Sequence, residues 1–261
     1  MTDTAHVVDA ASVTGRPVED GALIERDVLG PHTGAPWLNL SVLELDAGGS
    51  CTRATGRAEE VLFVLSGHGA LHTDGPDQSL EPESGAYVPP ERRYGLSAPD
   101  DEDLLLVSVR VPDPVQDGAD PPRASVRRLA DQATGEATSD RSFRIIADPS
   151  TGLRSATHFV GYIPSGRAPD HFHTYDEVIY VLHGEGAFHV SDDSWPVGSG
   201  SCIALPARTI HCLENTGGDA MRIVAVFRPA GSPAAAYYPD GTPAYYTHEQ
   251  SALPHQEEVE T

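Results

Sequence analysis

Residues 166–184 read Gly-Arg-Ala-Pro-Asp-His-Phe-His-Thr-Tyr-Asp-Glu-Val-Ile-Tyr-Val-Leu-His-Gly and join a histidine pair to an apolar, β-branched segment. His171 and His173 are two residues apart, so on a strand both imidazoles project from the same face. Glu177 follows a turn-like Thr-Tyr-Asp and begins the next predicted strand. A further histidine, His211, stands in a later apolar stretch, and a barrel interior would gather all four side chains. Three imidazoles and one carboxylate suit a divalent first-row transition metal.

The apolar segment that begins at Glu177 also occurs earlier in the chain. Residues 60–72 (Glu-Val-Leu-Phe-Val-Leu-Ser-Gly-His-Gly-Ala-Leu-His) match residues 177–189 (Glu-Val-Ile-Tyr-Val-Leu-His-Gly-Glu-Gly-Ala-Phe-His) at an offset of 117. The same offset carries residues 104–112 onto residues 221–229. Because the matches keep one order and one spacing, they indicate an internal duplication, and the chain holds two copies of one module.

A stretch rich in Pro and Asp separates the two copies and reads as a linker, because it has no apolar period. We therefore divide the chain into an N-terminal module, a linker, a C-terminal module and a tail rich in Ala, Pro and Tyr. The predicted bounds are 1–115, 116–140, 141–230 and 231–261. Tyrosines are costly to leave in water, so we expect the tail to pack across a module or a partner subunit. The tail and the sheet edges are candidate surfaces for a homodimer.

The other apolar segments are short and β-branched, with Gly, Pro and Asp between them. This pattern predicts an all-β fold, with a sandwich or barrel in each module. No long amphipathic helix is apparent, although the stretch around residues 126–133 allows a short helix.

The composition narrows the classes of function. The 261 residues include 39 acidic residues, 17 arginines and no lysine, which gives a formal net charge of -22. Nucleic acids and anionic membranes need a basic face, so neither is an expected partner. No apolar run reaches a membrane-spanning length and no signal peptide is evident, so we expect a cytoplasmic protein. Cys51, Cys202 and Cys212 are odd in number and scattered, which argues against a disulfide framework.

The two histidine-containing passages resemble the two motifs of the cupin superfamily. These motifs combine an HxH pair, a Glu and a Gly downstream, a Pro, and a final His and Asn. The residues at motif positions are His171, His173, Glu177, Gly184, Pro206, His211 and Asn215. One residue is missing between Gly166 and His171, and Arg208 stands where the family usually has glycine. The resemblance and the repeat together imply a bicupin with two tandem jelly-roll (double-stranded β-helix) barrels.

The resemblance also implies one divalent transition metal per chain (Fe, Mn, Ni, Zn or Cu), bound in the C-terminal barrel. Its implied ligands are His171, His173, Glu177 and His211. The positions that the offset of 117 assigns to these ligands in the first copy hold Ala54, Gly56, Glu60 and Tyr94. Since only Glu60 keeps a metal-binding side chain, we expect the N-terminal module to be metal-free and to serve as scaffold, interface or lid.

Three further residues are candidates for catalysis beside the metal. Arg208 either clamps a substrate carboxylate with its planar guanidinium or lies in an exposed turn. His158 precedes the motif on a strand that should line the same cavity, and a structural role is its alternative. Tyr162, and with it Tyr175, offers a phenol to donate a proton or a hydrogen bond, and packing is the alternative.

Cupins with this ligand set are similar to quercetinase-like dioxygenases, oxalate-degrading enzymes, sugar isomerases and polyketide cyclases. We favour a dioxygenase-type oxidoreductase that acts on a small enol, phenolic or carboxylate substrate. The alternatives are a Lewis-acid isomerase, cyclase, lyase or aminohydrolase at the same metal, and a non-enzymatic cupin that binds a small molecule. Bicupin oxalate decarboxylases keep ligands in both copies, and the ureidoglycine aminohydrolase pattern has Glu-x-His and a final Gln. This chain departs from both patterns.

Overall fold

The computed structural model describes residues 6–18, 22–115 and 123–244, in which every regular element is a β-strand or one turn of 3-10 helix. The first twelve strands are β1 (His6–Asp9), β2 (Arg16–Val18), β3 (Leu23–Leu29), β4 (Asn39–Leu45), β5 (Ser50–Ala54), β6 (Glu59–Ser66), β7 (Gly69–His72), β8 (Gln78–Leu80), β9 (Ser84–Val88), β10 (Arg93–Ser97), β11 (Leu104–Val111) and β12 (Ser125–Arg128). The later strands are β13 (Thr134–Glu136), β14 (Ser142–Ala147), β15 (Thr157–Ile163), β16 (Asp176–His183), β17 (Glu185–Val190), β18 (Asp193–Gly198), β19 (Ser201–Leu205), β20 (His211–Asn215) and β21 (Met221–Arg228). The 3-10 turns are Ala10–Ser12, Pro31–Thr33, Leu129–Asp131 and Pro149–Thr151. In the described ranges, no helix has the length and apolar character needed to cross a membrane.

Each module is built from one seven-stranded sheet and one smaller sheet, with antiparallel pairing between neighbouring strands. In the N-terminal module, the order β12-β9-β6-β11-β4-β3-β2 packs against β5-β10-β7-β8. In the C-terminal module, the order β1-β19-β16-β21-β15-β14-β13 packs against β18-β17-β20. Two antiparallel sheets around one core form a jelly-roll barrel. The predicted all-β fold with two tandem barrels is confirmed.

The strand register repeats at the spacing found in the sequence. Glu60 on β6 lies opposite Val88 and Arg110 on the neighbouring strands. Glu177 on β16 lies opposite Leu205 and Phe227, each 117 residues further along. The duplication is therefore structural as well as sequential.

The two large sheets pack against each other with their outer faces. Side chains alternate along a strand, so Ile179 and Val181 of β16 join the C-terminal barrel core while Val178 points the opposite way. Val178 belongs to a shared apolar cluster that includes Val61 and Val109 of the first module. Burial of each such side chain stabilises the fold by about 1.5–3 kcal/mol, so the contact between the modules forms a core in addition to the two barrel cores.

Two strands cross between the modules and correct the predicted boundaries. β1 pairs with β19 in the C-terminal sheet, and β12, from the predicted linker, pairs with β9 in the N-terminal sheet. The stretch that allowed a short helix is instead β12 followed by the 3-10 turn Leu129–Asp131. Both crossings cover a sheet edge whose backbone groups would otherwise lack partners. Side chains also alternate along β12, because Val126 packs on the N-terminal core while Arg127 is exposed.

A buried carboxylate also ties the modules together. Glu59 accepts hydrogen bonds from the backbone N–H groups of Arg154 (2.9 Å) and Ser155 (3.1 Å) in the C-terminal module. Tyr87 donates its hydroxyl to the same carboxylate at 3.3 Å. Glu59 therefore acts as a hydrogen-bond acceptor between the two modules.

Candidate metal centre

Three histidines meet inside the C-terminal barrel. His171 precedes β16 and pairs with His211, the first residue of β20, through backbone hydrogen bonds of 3.0 and 2.8 Å. His173 lies two residues further on, and its ring centroid is 5.1 Å from each of the other two. One nitrogen from each ring lies within 4.8 Å of those of the other two. The predicted convergence of the three imidazoles is therefore found.

A backbone carbonyl orients each imidazole. The Nδ1 atoms of His171, His173 and His211 lie 3.0, 2.8 and 2.9 Å from the carbonyl oxygens of Pro169, Ala235 and Thr209. A carbonyl oxygen can only accept, so each Nδ1 carries the hydrogen and each Nε2 keeps a free lone pair. Burial lowers the pKa of His173 to about 3 and also lowers the pKa values of His171 and His211. The three rings are therefore neutral at physiological pH, the form that binds metals.

Glu177 lies on β16 and lines the same cavity as the three histidines. Its side chain is buried, and burial raises its pKa to about 8. The structure gives it no hydrogen bond to any described residue, and its charge contributes to a raised pKa of Tyr175, which burial chiefly causes. Glu177 does not belong to the close group formed by the histidine nitrogens. Its role as a fourth ligand stays a prediction.

The cavity around the histidines has a volume of about 100 Å³ and is largely apolar. The large apolar side chains that line it are Phe143, Phe159, Ile163, Ile179, Phe188, Leu213 and Ile223. Tyr175 stacks on His173 with 4.7 Å between ring centroids, and on Phe227 with 3.8 Å. The stack fixes the plane of the His173 ring.

The tail closes one side of this cavity. Phe172 and Tyr237 exchange two backbone hydrogen bonds of 2.9 Å and stack their rings 5.5 Å apart. This contact brings Ala235 to His173 and places Tyr238 and Ala244 in the lining. The expectation that the tail packs across a module is met for residues 231–244, while Tyr245 and Tyr246 lie outside the described residues.

The cupin domain family matches residues 41–110 and 158–227, which together make up more than half of the chain. This chain belongs to the cupin family. The matched segments begin 117 residues apart, so each barrel is one cupin module. Among curated proteins, none matches the sequence.

Solved structures similar to this chain include three from bacteria. A Pseudomonas aeruginosa protein described as glyoxylate-induced is 21% identical, with a TM-score of 0.74, over 86% of this chain and 89% of that one. Escherichia coli YlbA is 14% identical, with a TM-score of 0.73, over 87% and 92%. A mutant of Bacillus subtilis oxalate decarboxylase is 13% identical, with a TM-score of 0.72, over 90% and 79%. At these identities the similarity establishes the fold alone.

Arg208 lies outside the cavity of this cupin. Its side chain is exposed, and its backbone N–H donates to the carbonyl of His173 at 2.7 Å. Its φ of 66° is in the left-handed region, which explains why the family usually places glycine here. Glu91, its counterpart in the first copy, has a φ of 57°. Of the two readings for Arg208, its position supports the exposed turn.

His158 corrects the expectation that its side chain lines the cavity. On β15, Phe159 and Gly161 line the cavity, so alternation sends His158 toward the other module. There its ring meets Phe63 edge-on, with 6.2 Å between centroids. The side chain is 1% exposed, its Nδ1 has no hydrogen-bond partner among the described residues, and burial lowers its pKa to about 3. The position supports the structural reading.

Tyr162 contributes to the cavity lining at the edge of the barrel. The guanidinium of Arg222 lies over its ring, 5.6 Å from the centroid, and the ring also packs near Val160 and Val224 between the modules. Its proton-donor role remains a prediction.

In the first barrel, the side chain of Arg53 lies beside Glu60, the counterpart of Glu177. Arg53 donates to Glu60 at 3.1 Å and to the Tyr94 hydroxyl at 2.9 Å. Ser108 and Arg110 also donate to Glu60, at 2.7 and 3.2 Å. Burial alone would raise the pKa of Glu60, but the two guanidinium groups outweigh it and hold that pKa below its usual value. This arrangement is consistent with the predicted metal-free module.

The register of the first barrel also corrects the expected counterpart of His171. Tyr94 pairs with Arg53 across the sheet as His211 pairs with His171, so Arg53 rather than Ala54 takes that position. The local offset is 118 because the second copy has one residue fewer just after this pair. A constant offset cannot reveal such a shift.

Sequence reasoning missed Arg141, which lines the cavity and donates to the carbonyl oxygen of Leu213 at 2.7 Å. The residue falls at the predicted start of the C-terminal module, next to a linker, where arginines are ordinarily exposed. Its sequence neighbours carry no motif that distinguishes it from a surface arginine.

Proposed function

We propose that this cupin is a metal-dependent enzyme of small-molecule metabolism, a dioxygenase-type oxidoreductase that acts on a small enol, phenolic or carboxylate substrate. The observation that carries the proposal is the convergence of three unprotonated Nε2 atoms beside a largely apolar cavity. A buried pocket with a few convergent polar groups is the usual form of a small-molecule site.

The donor set fits one divalent transition metal in this barrel. Imidazole nitrogens bind Fe, Mn, Ni, Zn and Cu, and a backbone carbonyl on the other ring nitrogen is the usual outer partner of a metal-binding histidine. Glu177 is the proposed fourth ligand, because a carboxylate buried without a hydrogen bond is costly and a nearby cation offsets that cost. When bound, the metal would supply a Lewis acid and, if redox-active, electrons for dioxygen chemistry.

The apolar lining supports an oxygenase over a sugar isomerase. A polyhydroxylated substrate would place several of its hydroxyl groups against the apolar surface that makes up most of the lining, which costs free energy. An enol or phenol with an apolar body instead buries apolar surface against Phe159, Phe188 and Ile223. Dioxygen is itself apolar and enters such a cavity without losing hydrogen bonds.

A Lewis-acid isomerase, cyclase, lyase or aminohydrolase is the second candidate. The observation in its favour is Glu177, which stands apart from the close histidine group and has a pKa raised to about 8 by burial. A carboxyl group that holds or releases a proton near neutral pH is what proton-transfer chemistry at a carbonyl requires. A non-enzymatic binding cupin is the third candidate, and the same experiment separates all three.

The test is metal content and turnover in His171→Ala and His211→Ala, with protein purified without a metal-affinity tag. We expect the parent protein to hold one metal per chain by elemental analysis and to consume dioxygen with enol or phenol substrates. Both variants should lose metal and turnover together. His189→Ala is the matched control, because His189 pairs with Glu214 at 2.8 Å and does not line the cavity.

Each outcome selects one candidate. Turnover that persists without oxygen and tolerates zinc selects Lewis-acid chemistry. Thermal stabilisation by a ligand without turnover selects a binding protein. Retention of both metal and turnover by His211→Ala contradicts the assignment of the site.

A further inference from the structure

Among the described residues, one cationic side chain lines the cavity beside the three neutral histidines. Of the side chains that line it, only Arg141 and Glu177 carry a formal charge. Arg141 stands just before β14, at the end of a loop whose Thr138 and Ser139 also line the cavity. The protein as a whole has a net charge of -22, so a cation in this cavity is opposite in sign to the net charge of the chain.

The guanidinium of Arg141 has unused hydrogen-bonding capacity. It donates to the carbonyl oxygen of Leu213 at 2.7 Å and interacts with the Cys212 thiol. In the described ranges, no carboxylate forms an ion pair with it. Burial lowers its pKa, as expected for a cation without a compensating anion. Five N–H donors in a planar fork remain only partly satisfied.

Arg141 and the three histidines line the same cavity. Its charge contributes to the lowering of the pKa of His171, His173 and His211, after the larger effect of burial. The guanidinium and the candidate metal site therefore share one space. A divalent ion and Arg141 together would exceed the single negative charge that Glu177 can supply, so the loaded cavity favours an anionic ligand.

The rest of the lining limits what that anion can be. Arg141 and the hydroxyl-bearing Thr138, Ser139 and Ser142 belong to one short stretch of chain that lines the cavity, whereas most other lining side chains are apolar. A small dianion would leave most of this surface unused. A monocarboxylate with an apolar body matches both parts.

We propose that Arg141 binds the carboxylate of the substrate, and that this cupin acts on small monocarboxylates whose remaining body is apolar. The inference rests on the proposed function, since it concerns the substrate of the same site. Arginine suits the role because its fork holds a carboxylate through two parallel hydrogen bonds.

The experiment measures binding rather than turnover. Protein loaded with zinc, which is redox-inert, is titrated calorimetrically with butanoate and benzoate, and with butanamide and benzamide as neutral partners. We expect each carboxylate to bind roughly tenfold or more tightly than its amide, as loss of a charge-assisted hydrogen bond predicts. Arg141→Gln should remove this preference and leave zinc content unchanged, while Arg141→Lys should retain part of it. Arg208→Gln is the matched control, because that arginine lies outside the cavity.

Equal binding of acids and amides by the parent protein overturns the proposal, and this comparison needs no variant that folds. A preference that survives in Arg141→Gln overturns it as well. A carboxylate preference that depends on Arg141, without any oxygen consumption, supports this inference while the oxygenase assignment fails. Oxygen consumption with neutral enols that Arg141→Gln does not affect would support the oxygenase assignment and contradict this inference.

Discussion

Two glutamates at the same register position have different neighbours. Glu60 meets the guanidinium groups of Arg53 and Arg110, whereas Glu177 meets none and shares its cavity with three histidines. A covalently attached cation cannot exchange, so the first barrel keeps its charge balance permanently. In the second barrel no arginine pairs with the carboxylate among the described residues, which is what the proposed metal site requires.

The buried His158 predicts a loss of stability in acid. Its folded-state pKa of about 3 lies below the value of about 6.5 for an unfolded chain, so below pH 6.5 the unfolded state binds a proton that the folded state refuses. The free energy of unfolding should fall as pH drops from 6.5 toward 3, by about 2 kcal/mol from this residue at pH 5.

The measurement is urea unfolding of the parent protein and His158→Phe between pH 8 and pH 5. The variant should lose stability less steeply on acidification. His183→Phe is the control, because His183 is exposed in the fold. An unchanged slope in His158→Phe would show that the protonation of this imidazole is not linked to unfolding.

At the scale of residues, spacing could predict the ligand triad but not the direction of every neighbour. His171 and His173 share a face whatever the exact strand limits, since they are two residues apart. The side of β15 that His158 occupies depends on knowing which residues face inward, and the strand is buried on both faces. The position of Arg141 in the cavity could not be predicted either, because the burial of an arginine depends on tertiary contacts that its neighbours in sequence do not indicate.

At the scale of elements, the tail contributes to the candidate metal centre. Tyr237→Ala removes the stack on Phe172 and loosens the segment that presents the Ala235 carbonyl to His173. Loss of such an outer partner typically weakens metal affinity by about 10–100-fold. Competition with a chelator, followed by metal release, measures the change.

Tyr237→Phe keeps the ring and should bind metal like the parent protein. If Tyr237→Ala releases metal no faster than Tyr237→Phe, the tail does not support the site.

Strands inside each module could be predicted, whereas the exchanged strands could not. Alternation and apolar content define β6 and β16 locally, and the repeat supports both assignments. The partners of β1 and β12 are distant sheet edges, β19 and β9, and no local pattern records which edge is open. Composition therefore assigns β1 to the N-terminal module and β12 to the linker, whereas each pairs with a strand outside its predicted segment.

At the scale of the whole molecule, the shared core predicts that both barrels unfold together. The chain has two tryptophans, Trp37 in the first module and Trp195 in the second, so two single-tryptophan variants report each module separately. Their urea transitions should coincide. Glu59→Ala should shift both transitions to lower urea, because two buried N–H groups lose their acceptor. We expect the free energy of unfolding to fall by about 2–4 kcal/mol.

Glu44→Ala is the control for a glutamate at the protein surface. Two separate transitions in the parent protein, or a shift confined to the Trp37 signal in Glu59→Ala, would contradict coupling through this carboxylate. A homodimer through the remaining sheet edges, β2 and β13 among them, stays a prediction.

The crossing of β1 means that neither half of the gene encodes a complete barrel. A cut in the segment between β11 and β12 would separate β1 from its partner β19 and β12 from its partner β9. The N-terminal fragment would hold β1 without a partner strand, and the C-terminal fragment would hold β12 without one and leave one edge of β19 unpaired. Each fragment carries what the other lacks. The two should therefore be poor folders when expressed alone and should recover by complementation when produced together.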